Sequence, residues 1–558
     1  MINQFLGQYA SLFRFDKLSI FIGIFIGLFS LLTIIYSFGY MKKRKGVLLY
    51  YTCIILTFAA SLGVVFANNL VLFIVLWGFL GLLLYLLINF GKGKQTSYTA
   101  KKAFIIIGGT DALMLLGLAL IWRITSTLRM SDIVISFNTK SAVVAFLCLI
   151  AGAFAKAGAM PFHTWVPDTA EDAPTPVTAF LPASLDKLLG VYFLLRLCRE
   201  MFVMNAEMNT LLMALGSFTI VAAVMMALVQ HDLKRLLGYH AVSQVGYMVL
   251  GIGTGTLIGI AGGLFHMLNN AIYKSCLFLS AGAVEKKAGT TDLDNLGGLA
   301  KVMPITFIAF LIASFAISGV PPFNGFFSKW MIYQGILNTA EKGQWLWIIW
   351  LVAAMFGSAL TLASFMKLLH AVFLGQPSKK LSSAKGAKET SLWMLIPQVC
   401  LAVLCVIFGV WAYKVPLALF ILPSLPTVIS FSGIWNTNLA AIFLISGVLI
   451  GFVIYLFGTA LKTREADAFL GGEGEDEKKY PQIRVSGTEF YNTISDIGFL
   501  KKIYKMAGKK FFDIYDLGAK LTFNFNAVLR KIHNGILSSY LAWCLLGMLG
   551  LFYVLILR

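Results

Sequence analysis

Charged residues are scarce in this 558-residue sequence, since Asp, Glu, Lys and Arg together make up 13% of it. A soluble domain carries about 25% charged residues, so the composition argues against a soluble protein. Hydrophobic residues make up 59%, and apolar runs of about 20 residues, the length that spans a bilayer, recur from Leu18 to Ile556. Most of the chain is therefore predicted to be one membrane domain.

The sequence also lacks the motifs of a redox or metal protein. Its seven cysteines stand singly, without the Cys-x-x-Cys pairs that hold clusters, haem or zinc, and it has no nucleotide-binding loop or catalytic constellation. No catalytic residue, metal or cofactor is expected, and redox chemistry is expected in other subunits. A cleaved signal peptide is not expected either, because the first apolar run follows the polar pair Asp16-Lys17 and no small-residue cleavage site comes after it.

Apolar runs and helix breakers together predict 14 membrane spans. Lys and Arg concentrate in the connectors after odd-numbered spans, and the connectors after even-numbered spans are poor in charge. This alternation follows the positive-inside rule, so the net charge of +20 does not call for nucleic acid as a partner. It predicts a prokaryotic cytoplasmic-membrane protein with both termini outside. The spans lie at approximately 18–40, 47–67, 69–90, 102–123, 141–160, 175–197, 208–229, 236–254, 256–284, 303–320 with a continuation at 325–337, 346–374, 391–422, 437–461 and 536–557.

A polar segment precedes the last span. It opens with an acidic stretch from Glu473 to Glu477, which indicates a loop, and continues with apolar residues at helical spacing and lysines between them. A helix of about forty residues extends roughly 60 Å and is too charged to cross the bilayer. It is predicted to lie along the cytoplasmic face of the bundle or, alternatively, to contact lipid headgroups alone.

Two parts of the sequence repeat each other in the same order and frame. Because five spans separate the matches, the two units are predicted to enter the membrane from opposite sides, as in an inverted repeat whose broken helices mark an ion or substrate site. Chance similarity between apolar helices is the alternative. The matching segments are Gly158-Ala-Met-Pro161-Phe162 with Gly319-Val-Pro321-Pro322-Phe323, and Ser184-Leu-Asp-Lys187 with Ser364-Phe-Met-Lys367.

The repeat divides the chain into six predicted domains. Residues 1–46 form an N-terminal span, 47–200 and 201–376 the two five-helix repeats, and 377–461 two additional spans. Residues 462–535 form the polar loop and lateral amphipathic helix, and 536–558 the C-terminal span. The prolines of both breaks remove backbone hydrogen bonds, and open backbone at membrane depth must face protein or water. Both breaks are therefore predicted to lie inside the bundle.

Nine ionisable side chains lie within or beside the spans. A Lys or Asp at the centre of a span costs about 2.5–3.5 kcal/mol, so pairing or function is expected for them. Burial favours a neutral amine and a nearby carboxylate favours a charged one, so moving a partner can switch a buried lysine. The predicted proton path comprises Lys156, Lys187, His266, Lys274, Lys329 and Lys367, with Asp111 and Asp186 as counter-ions.

Three of these residues keep a structural alternative. Lys367 lies near a helix end, from which a lysine can snorkel to the headgroups. His266 lies eight residues from Lys274, slightly over two helical turns, and as a lone polar residue it can be a satisfied packing group. His240 lies near the start of a span, and a structural role is expected for it.

Five longer motifs follow one another along the chain. They are Lys156 to Asp168, Ala173 to Val177, Asp232 to Tyr247, His266 to Lys274 and Gly325 to Lys329. These motifs, within a similarity over residues 18–375, resemble the signature of the antiporter-like subunits of respiratory complex I, Mrp-type cation/proton antiporters and membrane-bound energy-converting hydrogenases. The resemblance implies a water-linked proton path through the lysines at 156, 187, 274 and 329. The amphipathic helix resembles the lateral helix of the largest such subunit, which lies along neighbouring subunits.

Two departures from this family pattern indicate a divergent branch. The family usually has a glutamate after the tryptophan of the third span, paired with the lysine of the broken helix, whereas this sequence has Trp77-Gly78. Asp111 or Asp186 is expected to take its place. The chain also begins where the family's third helix usually begins, so two N-terminal spans are expected to be missing. Both features favour an energy-converting hydrogenase or a formate-linked complex.

Three functions remain open from the sequence. The first is a proton-translocating subunit of a redox-driven complex, with other membrane subunits, antiporter-like paralogues among them, as direct partners and peripheral electron-transfer subunits as indirect ones. The second is an Mrp-type cation/proton antiporter subunit. The third is a membrane scaffold that has lost transport, which Gly78 favours.

Overall fold

A computed structural model describes residues 12–42, 44–340, 343, 345–376, 389–425, 437–457, 488 and 491–556. These residues are mostly helical, and the only sheet among them is a parallel pair of two-residue strands, β1 (Ile135–Ser136) and β2 (Phe202–Val203). The chain divides into two compact units between Asp496 and Ile497. The predicted acidic loop from Glu473 to Glu477 lies outside the described residues.

The first unit is a bundle of helices. Its longer helices in chain order are α1 (Lys17–Tyr40), α2 (Val47–Phe66), α3 (Leu70–Ile88), α4 (Thr96–Thr125), α5 (Lys140–Ala157), α6 (Trp165–Asp172), α7 (Thr175–Met201), α8 (Ala206–Leu228), α9 (Leu233–Gly253), α10 (Leu257–Ala288), α11 (Pro304–Ser318), α12 (Asn324–Ala340), α13 (Trp347–Leu374), α14 (Leu392–Val410), α15 (Tyr413–Ser424) and α16 (Thr437–Phe457), followed by the short α17 (Asn492–Ser495).

Ten helices in the described ranges are long and apolar enough to cross a membrane. Nine of them are in the first unit, α1 to α5, α7, α8, α13 and α14, and the tenth is the final helix of the chain. The other four predicted spans are also helical, as α9, α10, the pair α11 and α12, and α16. The all-α membrane fold predicted from the sequence is therefore confirmed.

The helices α9 and α10 are less apolar than the other spans because they carry polar side chains. Gln244 and His240 on α9, and His266 and Lys274 on α10, are fully buried. Nearly all residues of both helices are buried within the first unit. Protein rather than lipid surrounds these helices, which is the setting that a polar side chain at membrane depth requires.

The two predicted helix breaks are present, and they share one local geometry. Helix α5 ends at Gly158 and helix α11 ends at Gly319. Both glycines have φ of 79°, with ψ of 36° and 35° respectively. This left-handed conformation is the usual way to end a helix and is costly for residues with a side chain. The sequence repeat is thus matched by a structural one at this position.

One predicted span is divided in the structure. The apolar run 391–422 forms α14 up to Val410 and then α15 from Tyr413. Trp411 leaves helical geometry with φ of −108° and ψ of 36°, and Pro416 follows within α15. Because proline lacks a backbone N–H and crowds the preceding turn, the sequence of α15 favours an irregular helix after this turn.

Helices α8 and α9 pack so closely that backbone atoms of one helix contact backbone atoms of the other. A β-carbon placed on Gly246 would lie 2.6 Å from the Gly216 carbonyl oxygen and 2.7 Å from the Ile220 nitrogen. A β-carbon on Gly216 would lie 2.7 Å from the Leu250 nitrogen. Small residues of this kind allow close helix packing in membranes, so this pair forms a tight contact beside the buried polar helices.

We predict that Gly246→Ala destabilises the protein by about 1–3 kcal/mol, because the added methyl group has no room between the two backbones. The matched control is Gly109→Ala on α4, where nothing lies within 4 Å of the added β-carbon. There, alanine is favoured over glycine in a helix by about 1 kcal/mol. Thermal unfolding of the solubilised protein measures both effects, and equal behaviour of the two variants would contradict the close contact.

The N-terminus of α1 is tied to α7 by an ionic contact. Asp16 caps α1 by accepting from the Ser19 N–H at 2.8 Å, and it pairs with Arg196 at 2.7 Å and Arg14 at 2.9 Å. Burial alone would raise the pKa of Asp16, but Arg196, the Ser19 N–H and Arg14 outweigh burial and hold it below its ordinary value. The ionised form of Asp16 therefore stabilises the folded protein.

We predict that Asp16→Asn lowers stability at neutral pH by on the order of 1 kcal/mol, because asparagine keeps the cap but loses the ion pairs. Since the folded pKa is depressed, the contribution is present above the unfolded value and is lost as pH falls through the folded one. The gap between Asp16→Asn and the parent should close in acid. Asp16→Ala should cost about 1 kcal/mol more, through loss of the cap. Melting curves from neutral to acidic pH test both statements.

The second unit contains three helices, α18 (Gly498–Gly508), α19 (Ile514–Ile532) and α20 (Leu537–Ile556). The described part of the predicted amphipathic segment is helical, but it is divided into α17, α18 and α19 and does not form one helix. Lys510 between α18 and α19 has a positive φ of 57°, and Asp513 caps α19 by accepting from the Tyr515 N–H at 3.0 Å. The position of this segment along the bundle remains a prediction.

Candidate functional site

The first helix break, where α5 ends, binds a lysine of α7. Lys187 of α7 is fully buried, and its ammonium group donates to the carbonyl of Ala157, the last residue of α5. A β-carbon on Gly158 would lie 3.0 Å from the Lys187 Nζ. The carbonyls at a helix end carry partial negative charge and attract cations. The break thus supplies both a ligand for the ammonium group and the space that it occupies.

Lys156 directly precedes Ala157 in the chain and contacts a different helix. It is fully buried on α5, and its Nζ donates to the Trp77 carbonyl of α3 at 3.4 Å and lies 5.2 Å from the centre of the Trp77 ring. Asp186 and Asp111 both interact with it electrostatically. Neither carboxylate forms an ion pair with it within 4 Å among the described residues. Lys156 is therefore within electrostatic range of two carboxylates without direct contact to either.

Lys274 of α10 lies next along the bundle interior. Its Nζ donates to the Leu237 carbonyl of α9 at 2.9 Å and lies 5.6 Å from the centre of the Phe365 ring. The same phenylalanine packs against His240, with ring centres 4.9 Å apart. Lys274 is also within electrostatic range of Lys187. These two lysines therefore repel each other when both are charged.

His240 is better connected than the sequence indicated. Its Nε2 lies 2.7 Å from the Ser364 hydroxyl, and the ring is within electrostatic range of both Lys274 and Lys329. Its Nδ1 is buried without a hydrogen-bond partner among the described residues. The sequence favoured a structural role because His240 is near a helix start, but packing places it between two of the predicted path lysines.

The second helix break holds Lys329 of α12. Its Nζ donates to the Ile317 carbonyl at 2.9 Å and to the Ser358 hydroxyl at 2.7 Å. A β-carbon on Gly319 would lie 3.7 Å from this Nζ. The ammonium group also lies 4.9 Å from the centre of the Tyr247 ring, a favourable position for a cation. Each break therefore holds one buried lysine against the open carbonyls of the helix that ends there.

His266 of α10 connects α9, α10 and α12. Its Nδ1 lies 2.9 Å from the Ser328 hydroxyl, next to Lys329, and its Nε2 lies 3.1 Å from the Gln244 side-chain oxygen. The Tyr273 hydroxyl lies 3.4 Å from the same Nε2. His266 is thus hydrogen-bonded at both nitrogens, as the packing alternative expects, and it also adjoins Lys329 electrostatically.

Lys367 lies apart from these contacts, at the end of another helix. Its Nζ donates to the carbonyls of Leu228 at 2.8 Å and Gln230 at 2.9 Å, at and just beyond the C-terminus of α8. A cation at a helix C-terminus satisfies open carbonyls and the helix dipole. This geometry favours a capping role for Lys367 and leaves its transport role a prediction.

Sequence reasoning missed a group of ion pairs around α6. Asp168 accepts from Lys102 at 2.7 Å and from Arg235 at 3.2 Å, and Glu171 accepts from Arg235 at 2.6 Å. A third basic residue, Lys234, pairs with Glu285 at 3.2 Å. The positive-inside rule accounts for these basic residues only as topological charges in connectors. The sequence feature that could have predicted these ion pairs is the spacing of Asp168 and Glu171 on α6, because residues three apart lie on one face of a helix.

The fold and these side chains define a multi-pass membrane protein whose interior carries ionisable groups along two interrupted helices. The family model described as NADH:quinone oxidoreductase/Mrp antiporter, TM, matches residues 67–361, more than half of the chain. The chain belongs to this family, and the resemblance identified from the sequence is confirmed.

Curated relatives include Na(+)/H(+) antiporter subunits. The relative from Staphylococcus haemolyticus is 30% identical over 472 residues, covering 80% of this chain and 58% of the relative. The relative from Alkalihalophilus pseudofirmus is 30% identical over 533 residues, covering 88% of this chain and 65% of the relative. The chain thus spans less than two thirds of the length of these relatives.

Two solved structures have a similar fold. An archaeal respiratory membrane complex, the membrane-bound sulfane sulfur reductase, contains a chain with a TM-score of 0.77 and 25% identity, covering 97% of this chain and 89% of that one. A chain of the Mrp complex from Dietzia sp. has a TM-score of 0.67 at 23% identity, covering 74% of this chain and 84% of that one. The second match shows the fold alone.

We predict that Lys367→Met lowers stability by about 1 kcal/mol, because the C-terminal carbonyls of α8 lose their cation. Lys367→Arg should retain most of the stability, since arginine also donates to carbonyls. Thermal unfolding of the solubilised protein tests this role separately from any ion transport. A Lys367→Met protein that melts like the parent would remove the capping role.

Proposed function

We propose that this chain is the proton-translocating, antiporter-like subunit of a redox-driven membrane complex of the energy-converting hydrogenase or complex I type. The observation that carries the proposal is the placement of four buried lysines whose ammonium groups are bound by backbone carbonyls and a hydroxyl instead of directly paired carboxylates. They are Lys156, Lys187, Lys274 and Lys329.

Carbonyl ligands suit a lysine that gains and loses its proton. A buried ion pair holds its ammonium group charged, because the uncompensated carboxylate would otherwise remain in a low-dielectric interior. A carbonyl stabilises the charged amine but leaves no buried charge behind when the proton departs. Lys187, Lys274 and Lys329 are held in this way, and their protonation can therefore change at lower cost.

Charge on one lysine is coupled to charge on the next. Lys187 and Lys274 repel each other when both are protonated, so arrival of a proton at one favours its departure from the other. His240 lies within electrostatic range of both Lys274 and Lys329. We infer a path from Lys156 and Lys187, through Lys274 with His240 and His266, to Lys329, with Lys367 at its edge.

Water is expected to complete the path, because several polar atoms beside it are buried without a hydrogen-bond partner among the described residues. Such atoms bind internal water when the site is roomy enough. Seven of them belong to α7, α9, α10 and α12, which carry lysines and histidines of the path. They are Asp186 Oδ2 on α7, His240 Nδ1 and Gln244 Nε2 on α9, Asn269 Oδ1 and Asn270 Oδ1 on α10, and Asn324 Nδ2 and Oδ1 on α12.

The proposed partners are other membrane subunits, including antiporter-like paralogues, with redox centres in peripheral subunits that act on this chain indirectly. The similarity to a chain of an archaeal respiratory membrane complex over 97% of this sequence supports this interpretation. The alternation of basic connectors with connectors poor in charge supports a prokaryotic cytoplasmic membrane with both termini outside. The two inverted repeats and six domains stated from the sequence are part of the same proposal.

The second candidate function is an Mrp-type cation/proton antiporter subunit. It is favoured by the 30% identity to Na(+)/H(+) antiporter subunits over 80–88% of this chain. The subunits that co-purify with the protein separate the two candidates. Electron-transfer subunits support the redox-driven complex, whereas small membrane subunits without redox centres, together with sodium-dependent proton flux, support the antiporter.

We predict that Lys156→Met or Lys329→Met, introduced into the intact complex, lowers proton uptake by inverted membrane vesicles about tenfold, as adding roughly 1.4 kcal/mol to a transfer barrier would do. Methionine keeps much of the side-chain volume and removes the proton acceptor. Respiratory substrate drives the uptake, and electron transfer is recorded in the same vesicles.

The matched control is Lys140→Met, which lies on α5 like Lys156 but is exposed at its first residue. Lys140→Met should pump like the parent. If Lys156→Met and Lys329→Met also pump like the parent while electron transfer continues, these lysines carry no protons, and the transport-inactive scaffold becomes the better interpretation.

A further inference from the structure

A notch in helix α3 lies beside Lys156. Gly78 and Gly81 are three residues apart on one face of α3, and neither has a side chain to cover the backbone. The Asp111 carboxylate of α4 rests against this notch. Its Oδ2 lies 3.9 Å from the β-carbon position of Gly78 and 4.0 Å from that of Gly81. A carboxylate from α4 thus lies where a side chain on α3 would project.

The polar atoms around the notch are incompletely paired. Asp111 Oδ1 and the Trp77 indole Nε1 are both buried without a hydrogen-bond partner among the described residues. Asp111 interacts electrostatically with Lys156 and lies near the Trp77 indole, whose N–H does not meet the geometry of a hydrogen bond to it. The Lys156 Nζ donates to the carbonyl of the same tryptophan. The ammonium group and the carboxylate therefore both lie close to the Trp77-Gly78 segment of α3.

The second carboxylate near Lys156 has a different set of neighbours. Asp186 interacts electrostatically with both Lys156 and Lys187, whereas Lys156 is the only lysine that Asp111 faces in this way among the described residues. Removing the charge of Asp186 therefore affects two lysines of the path. Removing the charge of Asp111 affects Lys156 alone, so its role can be tested without disturbing Lys187.

We propose that Asp111 is the dedicated positioning counter-ion of Lys156, and that Gly78 and Gly81 form the notch that admits its carboxylate. The proposal rests on the proton-transfer function of Lys156. Asp111 holds the protonated amine on the α3 side of α5, and Asp186 attracts it toward Lys187. The ammonium group of Lys156 is thus attracted toward two carboxylates in different places. The first of them, Asp111, belongs to α4 and is admitted by the notch in α3.

The geometry specifies a transplant of this charge. Standard bond lengths place the carboxylate oxygens of a glutamate about 3.5 Å from its own β-carbon, close to the 3.9 Å that separates Asp111 Oδ2 from the β-carbon position of Gly78. Gly78→Glu should therefore bring a carboxylate to nearly the same place from α3. The space for it is free only when the side chain at position 111 is shortened, because asparagine fills the same volume as aspartate, so the transplant is combined with Asp111→Ala.

The experiment compares proton uptake per electron in vesicles that contain the intact complex. Asp111→Asn is expected to lower it severalfold, and Asp111→Glu to retain most of it. The double variant Asp111→Ala with Gly78→Glu is expected to regain at least half of the parent value. The matched double variant Asp111→Ala with Gly78→Gln has the same bulk without the charge, and it should remain as low as Asp111→Asn.

The proposal is overturned if Asp111→Asn pumps like the parent, or if the glutamine and glutamate double variants recover equally. If Asp111→Asn does not accumulate in the membrane, the amount of each double variant in the membrane is compared instead. Only the double variant that contains Gly78→Glu should restore the parent amount. Lys156→Met separates the two proposals. If Lys156→Met pumps normally, the proposed function fails, whereas a defective Lys156→Met beside a normal Asp111→Asn removes only the role of Asp111.

Discussion

The carbonyl groups exposed where α5 and α11 end are the constraint on which the arrangement of charge in this protein depends. A helix that continued through Gly158 or Gly319 would satisfy its own carbonyls and leave no ligand for an ammonium group. Because both helices stop inside the bundle, Lys187 and Lys329 find partners at a depth where neither lipid nor bulk water offers one. The charges are held by backbone, and they can therefore change without leaving an unpaired carboxylate.

Close packing makes this interior possible. The polar helices α9 and α10 are surrounded by protein, and α8 meets α9 at the paired glycines Gly216 and Gly246. Polar side chains in a membrane are tolerated when they face one another. His266 illustrates this condition, since Ser328 and Gln244 each lie within hydrogen-bond distance of one of its ring nitrogens.

The sequence predicted the helices and the breaks well because both depend on local pattern. Apolar run length locates the spans, and Gly158 and Gly319 end helices through their own backbone freedom. Partners of individual side chains depend on packing between distant helices. For that reason the sequence could not indicate that Lys187, rather than Lys156, binds the first break. For the same reason the sequence did not predict the turn at Lys510 or the location of His240 within electrostatic range of Lys274 and Lys329.

Lys329 is separated from the outer face of its unit by the thickness of one helix. Its hydroxyl ligand, Ser358, belongs to α13, on which Val352 and Met355 are 60% and 55% exposed. Helix α13 therefore carries both a direct ligand of Lys329 and apolar side chains at the surface of the unit. Any displacement of α13 relative to α12 would lengthen or shorten the contact between Ser358 and Lys329.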